Sequence, residues 1–193
     1  MGGLRRPKAC CAIFVLASPE SPVPPLSQTI RQLPNLFTPE RRFSALDIPR
    51  IFNISESAHR IHNPFTPEKL ATLGAALRLE SGARVLDLGS GSGEMLCTWA
   101  RDHGVIGTGI DMSQLFTEQA KLRAEELGVA DQVKFIHGDA AGYVSDEKVS
   151  VAACLGATWI GGGVAGTIEL LAQSLRPGGI ILIGEPYWRQ LPP

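Results

Sequence analysis

From residue 66 onward, short apolar runs alternate with stretches of helical period, and this alternation constrains the fold more than any other feature of the chain. Arg84 to Leu88, Val105 to Ile110, Val133 to His137, Val149 to Cys154 and Ile180 to Gly184 read as five strands. A helix before the first strand starts at Thr66, a good N-cap, with Pro67 in the first helical position and Leu70, Leu73 and Leu77 on one face. Gly93 to His103 carries Met95, Leu96 and Trp99 at helical spacing. Ser113 to Leu127 turns Phe116, Ala120, Ala124 and Leu127 inward, and a last helix carries Val164, Ile168, Leu171 and Leu175. Strands separated by helices of this length build βαβ units and a parallel sheet. The unbroken run Ile180-Ile181-Leu182-Ile183 suits a strand covered on both faces. The expectation is an α/β, Rossmann-like, doubly wound sheet of about five strands, with its ligand beyond their carboxyl ends.

Three successive strands deliver chemistry to that rim. The first runs through Asp87 into Gly89-Ser90-Gly91-Ser92-Gly93-Glu94, where glycine lets backbone turn tightly and approach a ligand. The second ends in Asp111, placed to accept hydrogen bonds from both hydroxyls of a ribose. The third ends in Gly138-Asp139-Ala140, a further carboxylate at a strand end. A dinucleotide fingerprint spaces its glycines G-x-G-x-x-G, but the last position here is Glu94. A pyrophosphate also avoids carboxylates, and Asp87 and Glu94 flank this loop. A cationic ligand without phosphate fits better, and S-adenosyl-L-methionine is one. Capping of the following helices is the structural alternative for Asp111 and Asp139.

At these residues the chain resembles the class I S-adenosylmethionine-dependent methyltransferases. Val85 to Glu94 resembles their first motif, Ile110-Asp111-Met112 the acidic second, and Ile136-His137-Gly138-Asp139-Ala140 the third. Leu175-Arg176-Pro177-Gly178-Gly179 resembles the family's turn before its fifth strand. Asp47 to Trp188 is similar to the YjhP-type bacterial group, including His59-Arg60-Ile61-His62-Asn63-Pro64-Phe65 and Gly184-Glu185-Pro186-Tyr187-Trp188. The resemblance implies a methyl transfer with S-adenosyl-L-methionine as cofactor. It implies that Gly89, Ser90, Gly91 and Gly93 pass under the methionine part, with Asp87 near its amino group. Asp111 would hold the ribose, Met112 would pack on the adenine, and Asp139 and the Ala140 N–H would meet the adenine edge. The backbone around Cys154 to Gly156 would close the methionine side.

No metal or triad signature appears, and methyl transfer from a sulfonium needs none, because positioning and exclusion of water do most of the work. His59 and His62, three apart and expected on one helical face, are candidates for the acceptor pocket or a base. Glu185 and Tyr187 are further catalytic candidates, and Trp159 and Trp188 face the same side. Nucleic-acid amino-methyltransferases often carry Asp/Asn-Pro-Pro-Tyr after the fourth strand; Cys154-Leu155-Gly156-Ala157 stands there instead. A small-molecule acceptor is therefore expected. A cofactor-binding but inactive relic is the alternative, and a nicotinamide-dependent oxidoreductase a third reading.

Charge supports this choice. Residues 1–46 carry six Lys+Arg and two Asp+Glu, and residues 47–193 carry 12 and 17, giving +4 and −5. An acidic core offers nothing to neutralise phosphates, so neither nucleic acid nor an acidic membrane is an expected partner. Residues 1–46 hold seven of the 14 prolines and read as a poorly ordered extension before a domain spanning 47–193. Within them Ala9 to Ala17, after Arg5, Arg6 and Lys8, has the outline of a weak signal peptide; an extension on a cytoplasmic enzyme is preferred. Cys97 and Cys154 read as small core residues, with no zinc spacing. The family's sheet normally ends in two more strands with an antiparallel edge. Without them, Ile180 to Ile183 would lie at a bare edge, open to pairing in a homodimer.

Overall fold

The computed structural model describes residues 9–17, 48–63 and 65–188. Six strands form one sheet: β1 (Ala9–Ala17), β2 (Arg84–Leu88), β3 (Ile106–Asp111), β4 (Val133–His137), β5 (Val149–Leu155) and β6 (Leu175–Trp188). Their order is β1-β6-β5-β2-β3-β4. β2 to β6 are parallel, and the order reverses between β2 and β5. Among the described residues, five helices accompany the sheet: α1 (Arg50–Glu56), α2 (Pro67–Ala76), α3 (Glu94–His103), α4 (Gln114–Glu126) and α5 (Val164–Ala172), with a 3-10 turn at Thr158–Gly161. This is the doubly wound Rossmann-like sheet expected.

Local chemistry sets the element ends. The Thr66 hydroxyl accepts from the Lys69 N–H, and the Ser113 hydroxyl accepts from the Phe116 N–H, so α2 and α4 are both side-chain capped. Gly93 and Gly104 bracket α3 in left-handed conformations, with φ of 73° and 68°. The sheet has a core on each face. Val85, Leu96, Trp99, Ala120 and Phe135 pack on one side, and the buried Trp99 indole donates to Leu70 O at 3.1 Å. Leu86, Leu88, Ile110, Cys154, Leu171 and Ile183 pack on the other. Cys97 and Cys154 are fully buried in these cores; burial pushes both thiols up, that of Cys97 to about 12. No helix among the described residues is long and apolar enough to cross a membrane.

Two expectations need correction. The expected extension, residues 1–46, lies outside the described residues except for Ala9–Ala17, and that stretch is a strand. β1 pairs antiparallel along β6 from Ala9↔Trp188 to Ala17↔Ile180. The edge of the fifth predicted strand is therefore occupied rather than bare, and it is not available for dimer pairing. The physical reason is a nine-residue apolar run without proline, in which every N–H can join a ladder. β6 is also longer than predicted. It absorbs Pro177-Gly178-Gly179, expected as a turn, through a register shift against β5 between Val149 and Val151.

Removal of residues 1–17 is expected to strip β1 from the sheet and expose the β6 ladder. Light scattering checks this: the shortened chain should form larger species under conditions where the full chain does not.

Candidate functional site

The parallel register lays Asp87 on β2 beside Gly109 on β3, with Asp111 two residues further along β3. Both side chains are buried, at 5% and 9% exposure. Asp111 is well provided with donors: Oδ2 accepts from the Gly91 N–H at 2.7 Å, and Oδ1 from the Ser113 N–H at 2.8 Å. Burial pushes its carboxyl up, while these two bonds and the neighbouring His62 and His137 oppose that. Asp87 has no such help. Its Oδ1 is buried without a hydrogen-bond partner, and burial, then the Asp111 charge, raise its pKa to about 7. The Ser90 hydroxyl is a second buried polar atom without a partner.

The loop between these acids is a backbone cradle. The Gly89 and Ser90 N–H groups both donate to Ile110 O, at 2.8 and 3.1 Å. Gly89, Gly91 and Gly93 all have positive φ, which other L residues adopt only with strain. A Cβ on Gly91 would lie 2.8 Å from His62 Nδ1, and one on Gly89 would lie 2.7 Å from the Ala157 Cβ. Gly93 serves packing: a Cβ there would come within 2.6 Å of Phe135 Cζ and 2.7 Å of the Ala120 Cβ. It thus performs the close helix–sheet contact that the dinucleotide fingerprint assigns to a later glycine.

The remaining predicted residues divide. Met112 is half-buried at the end of β3, and its carbonyl lies 3.0 Å from His137 Nε2. Gly138 N–H donates to Asp111 O at 2.9 Å, which brings the β4 end alongside. Ala140 is buried there, while Asp139 is exposed and accepts from the Ala141 N–H at 2.8 Å rather than capping a helix. His59 and His62 are not on one helical face; both follow α1 in a loop. His59 points outward to Glu56, at 2.9 Å. His62 turns inward, its ring 4.1 Å from that of Phe116 and its Nε2 3.1 Å from Ser92 Oγ. Desolvation lowers its pKa. Glu185 Oε1 accepts from the Thr158 N–H at 3.0 Å, so it braces the loop after β5. Tyr187 is placed by its backbone alone, opposite Cys10.

Glu94 also departs from expectation. Its buried carboxylate faces α4 and pairs with Arg123 at 2.8 and 3.0 Å, so its charge is spent away from the loop. The negative character of the site comes from Asp87 and Asp111. A cavity of about 390 Å³ lies beside Arg84, Lys148 and Arg176, at the opposite end of the sheet, and contains none of these acids. Among the described residues, no three metal-ligating side chains cluster.

Comparison with known proteins agrees with this geometry. The methyltransferase-domain family matches residues 85–179. YjhP of Escherichia coli is 78% identical over 147 residues, covering 76% of this chain and 59% of that protein. The crystal structure of a SAM-dependent methyltransferase from Geobacter sulfurreducens in complex with S-adenosyl-L-homocysteine is 88% identical. It covers 77% of this chain and 59% of its own, with a TM-score of 0.76. The 27-O-demethylrifamycin SV methyltransferase of Amycolatopsis mediterranei is 33% identical over 114 residues, covering 58% of this chain and 42% of that protein. The chain thus carries a match to the methyltransferase domain and is similar to S-adenosylmethionine-dependent methyltransferases. Its similarity to YjhP is high, and it spans about three-fifths of the length of YjhP and of the Geobacter protein.

Two outcomes are expected from these contacts. Gly93→Ala should cost about 2–4 kcal/mol in urea unfolding, because a left-handed alanine there also overlaps two core side chains. The second concerns pH. Folded Asp87 keeps a proton to about pH 7, whereas the unfolded chain releases it near its usual 3.8. Between those values the native state binds more protons, so rising pH removes stability. Asp87→Asn should flatten that fall in the melting temperature of the ligand-free protein.

Proposed function

We propose that the chain binds S-adenosyl-L-methionine at the carboxyl ends of β2, β3 and β4 and passes its methyl group to a small-molecule acceptor. The observation that carries this reading is the buried, unpartnered Asp87 oxygen beside a second carboxylate. Such a pair disfavours a pyrophosphate and favours a ligand with a cationic amino group. The residues present fit that cofactor. Asp87 meets the ammonium, and the ammonium in turn draws the carboxyl to its charged form. Each Asp111 oxygen has already accepted one backbone N–H and keeps a lone pair for a ribose hydroxyl. The Gly89 to Gly93 backbone passes under the methionine part, with the Ser90 hydroxyl as a further donor. Met112 packs on the adenine, and Asp139 and the Ala140 N–H meet its edge.

When bound, the cofactor supplies a methyl group on a positively charged sulfur. The protein then has to orient and dry the site, and it needs no proton relay to make the transfer favourable. His62 stands on the rim as a base candidate; His59 and Glu185 are engaged elsewhere, with Glu56 and Thr158. The −5 charge of residues 47–193 supports a small-molecule acceptor over a nucleic acid. The second reading is a chain that binds the cofactor without transferring its methyl group.

Asp111→Ala should weaken S-adenosyl-L-homocysteine binding by about tenfold to a hundredfold, the worth of hydrogen bonds to a charged group. Calorimetry on the folded variant checks this, and unchanged affinity would sink the assignment. A panel of acceptors with methyl-labelled cofactor separates the active from the inactive reading.

A further inference from the structure

Residues 50–63 cross the site yet are attached to it in an unusual way. α1 buries no residue, and Ile51, Phe52 and Ile54 are 66%, 54% and 61% exposed. What holds α1 and the residues up to Arg60 is mainly polar, while Ile61 packs against the core and the His62 ring lies on Phe116. The Ser113 hydroxyl donates to Asn53 Oδ1 at 2.9 Å, and Gln119 Nε2 donates to Ser57 O at 2.9 Å. Arg60 Nη2 donates to Glu126 Oε2 at 3.1 Å, and the same oxygen accepts from Arg123, which holds Glu94 at the start of α3. The Ser92 hydroxyl gives its hydrogen to Gln119 Oε1 at 2.7 Å. The His62 Nε2–H donates to His59 O at 3.0 Å, with Ser92 Oγ as a second acceptor at 3.1 Å. A cavity of about 200 Å³ remains between the strap and α4, lined in part by Ala58, Gln119 and Leu122. Beyond Asn63 the attachment changes, since Phe65 is buried in the core and α2 follows.

We propose that residues 50–63 form a hinged gate over the cofactor site, latched by the Arg60–Glu126 and Asn53–Ser113 contacts and pivoting near Asn63. An element that buries no apolar helix face opens at little cost, because few contacts must be given up. Closed, it sets the His62 ring directly against Gly91, on the loop assigned to the cofactor. Cofactor exchange therefore requires the strap to lift, and the latch sets how often it does. The gate rests on the cofactor assignment above.

Arg60→Ala and the Asn53→Ala/Arg60→Ala pair test this without touching the glycine loop or either buried carboxylate. Association and dissociation rates of S-adenosyl-L-homocysteine are read together with amide hydrogen exchange across residues 50–63. Exchange there should quicken while that of α3 holds. Both rate constants should rise together, about two- to fivefold for Arg60→Ala, the range of one exposed ion pair, and further for the pair. Affinity should stay within about twofold. A rise in dissociation alone would make the strap a set of binding contacts, and faster exchange with unaltered rates would remove the gate. Unchanged exchange would remove the latch. Failure of the unaltered chain to bind would instead overturn the cofactor assignment itself.

Discussion

Two backbone N–H groups, from Gly91 and Ser113, converge on the Asp111 carboxylate, and most of the site hangs from that convergence. One bond fixes the tip of the glycine loop and the other fixes the N-terminus of α4. The carbonyl before it, Ile110 O, takes the Gly89 and Ser90 N–H groups, and Asp111 O takes that of Gly138. The ends of β2, β3 and β4 are thus tied through two residues. The donors also decide the charge. Asp111 and Asp87 are both buried, but only Asp111 is compensated by N–H groups, while Asp87 rises to about 7. Two neighbouring carboxylates in similar burial therefore have different proton affinities, set by how many donors each receives. The poorly compensated one is the group that a cationic ligand would relieve.

Local periodicity made the helices and the parallel strands legible, because their burial repeats within a few residues. β4 falls on the residues predicted, and Thr66 caps its helix as read; Gly93 and Ser113, read as the first residues of their helices, stand at the N-cap positions. The Asp87, Asp111 and glycine-loop grouping was also legible, since a parallel sheet must deliver successive strand ends to one rim. What local pattern could not show were partners distant in sequence. The acidic flank of the loop was read as Asp87 with Glu94, but Arg123, 29 residues on, takes Glu94 away. The histidines were placed on one helix by spacing alone; Glu56 draws one outward, and Phe116 and Ser92 draw the other inward. Asn53 and Gln119 lay in no motif, the motifs holding Arg60 and Ser92 named no partner for them, and the contacts of these four span 27 to 66 residues. The pairing of β1 with β6 spans most of the chain.

That pairing reaches the site by a short mechanical route. β5 supports β6 only as far as Leu155↔Gly184. Past that point the registered partner of β6 is β1, with Ala12 opposite Glu185 and Cys11 opposite Pro186. Glu185 therefore projects from a stretch whose extended form depends on the N-terminal strand. Its carboxylate accepts from the Thr158 N–H, which fixes the 3-10 turn following β5. Ala157, immediately before that turn, is the residue a side chain on Gly89 would strike. The wall opposite the glycine loop is in this way held through Glu185 by β6, and β6 at that height by β1. An edge strand drawn from near the start of the chain thus has a second effect beyond covering hydrogen-bonding groups. It supplies the stiffness that lets the last parallel strand brace the loop facing the candidate cofactor site.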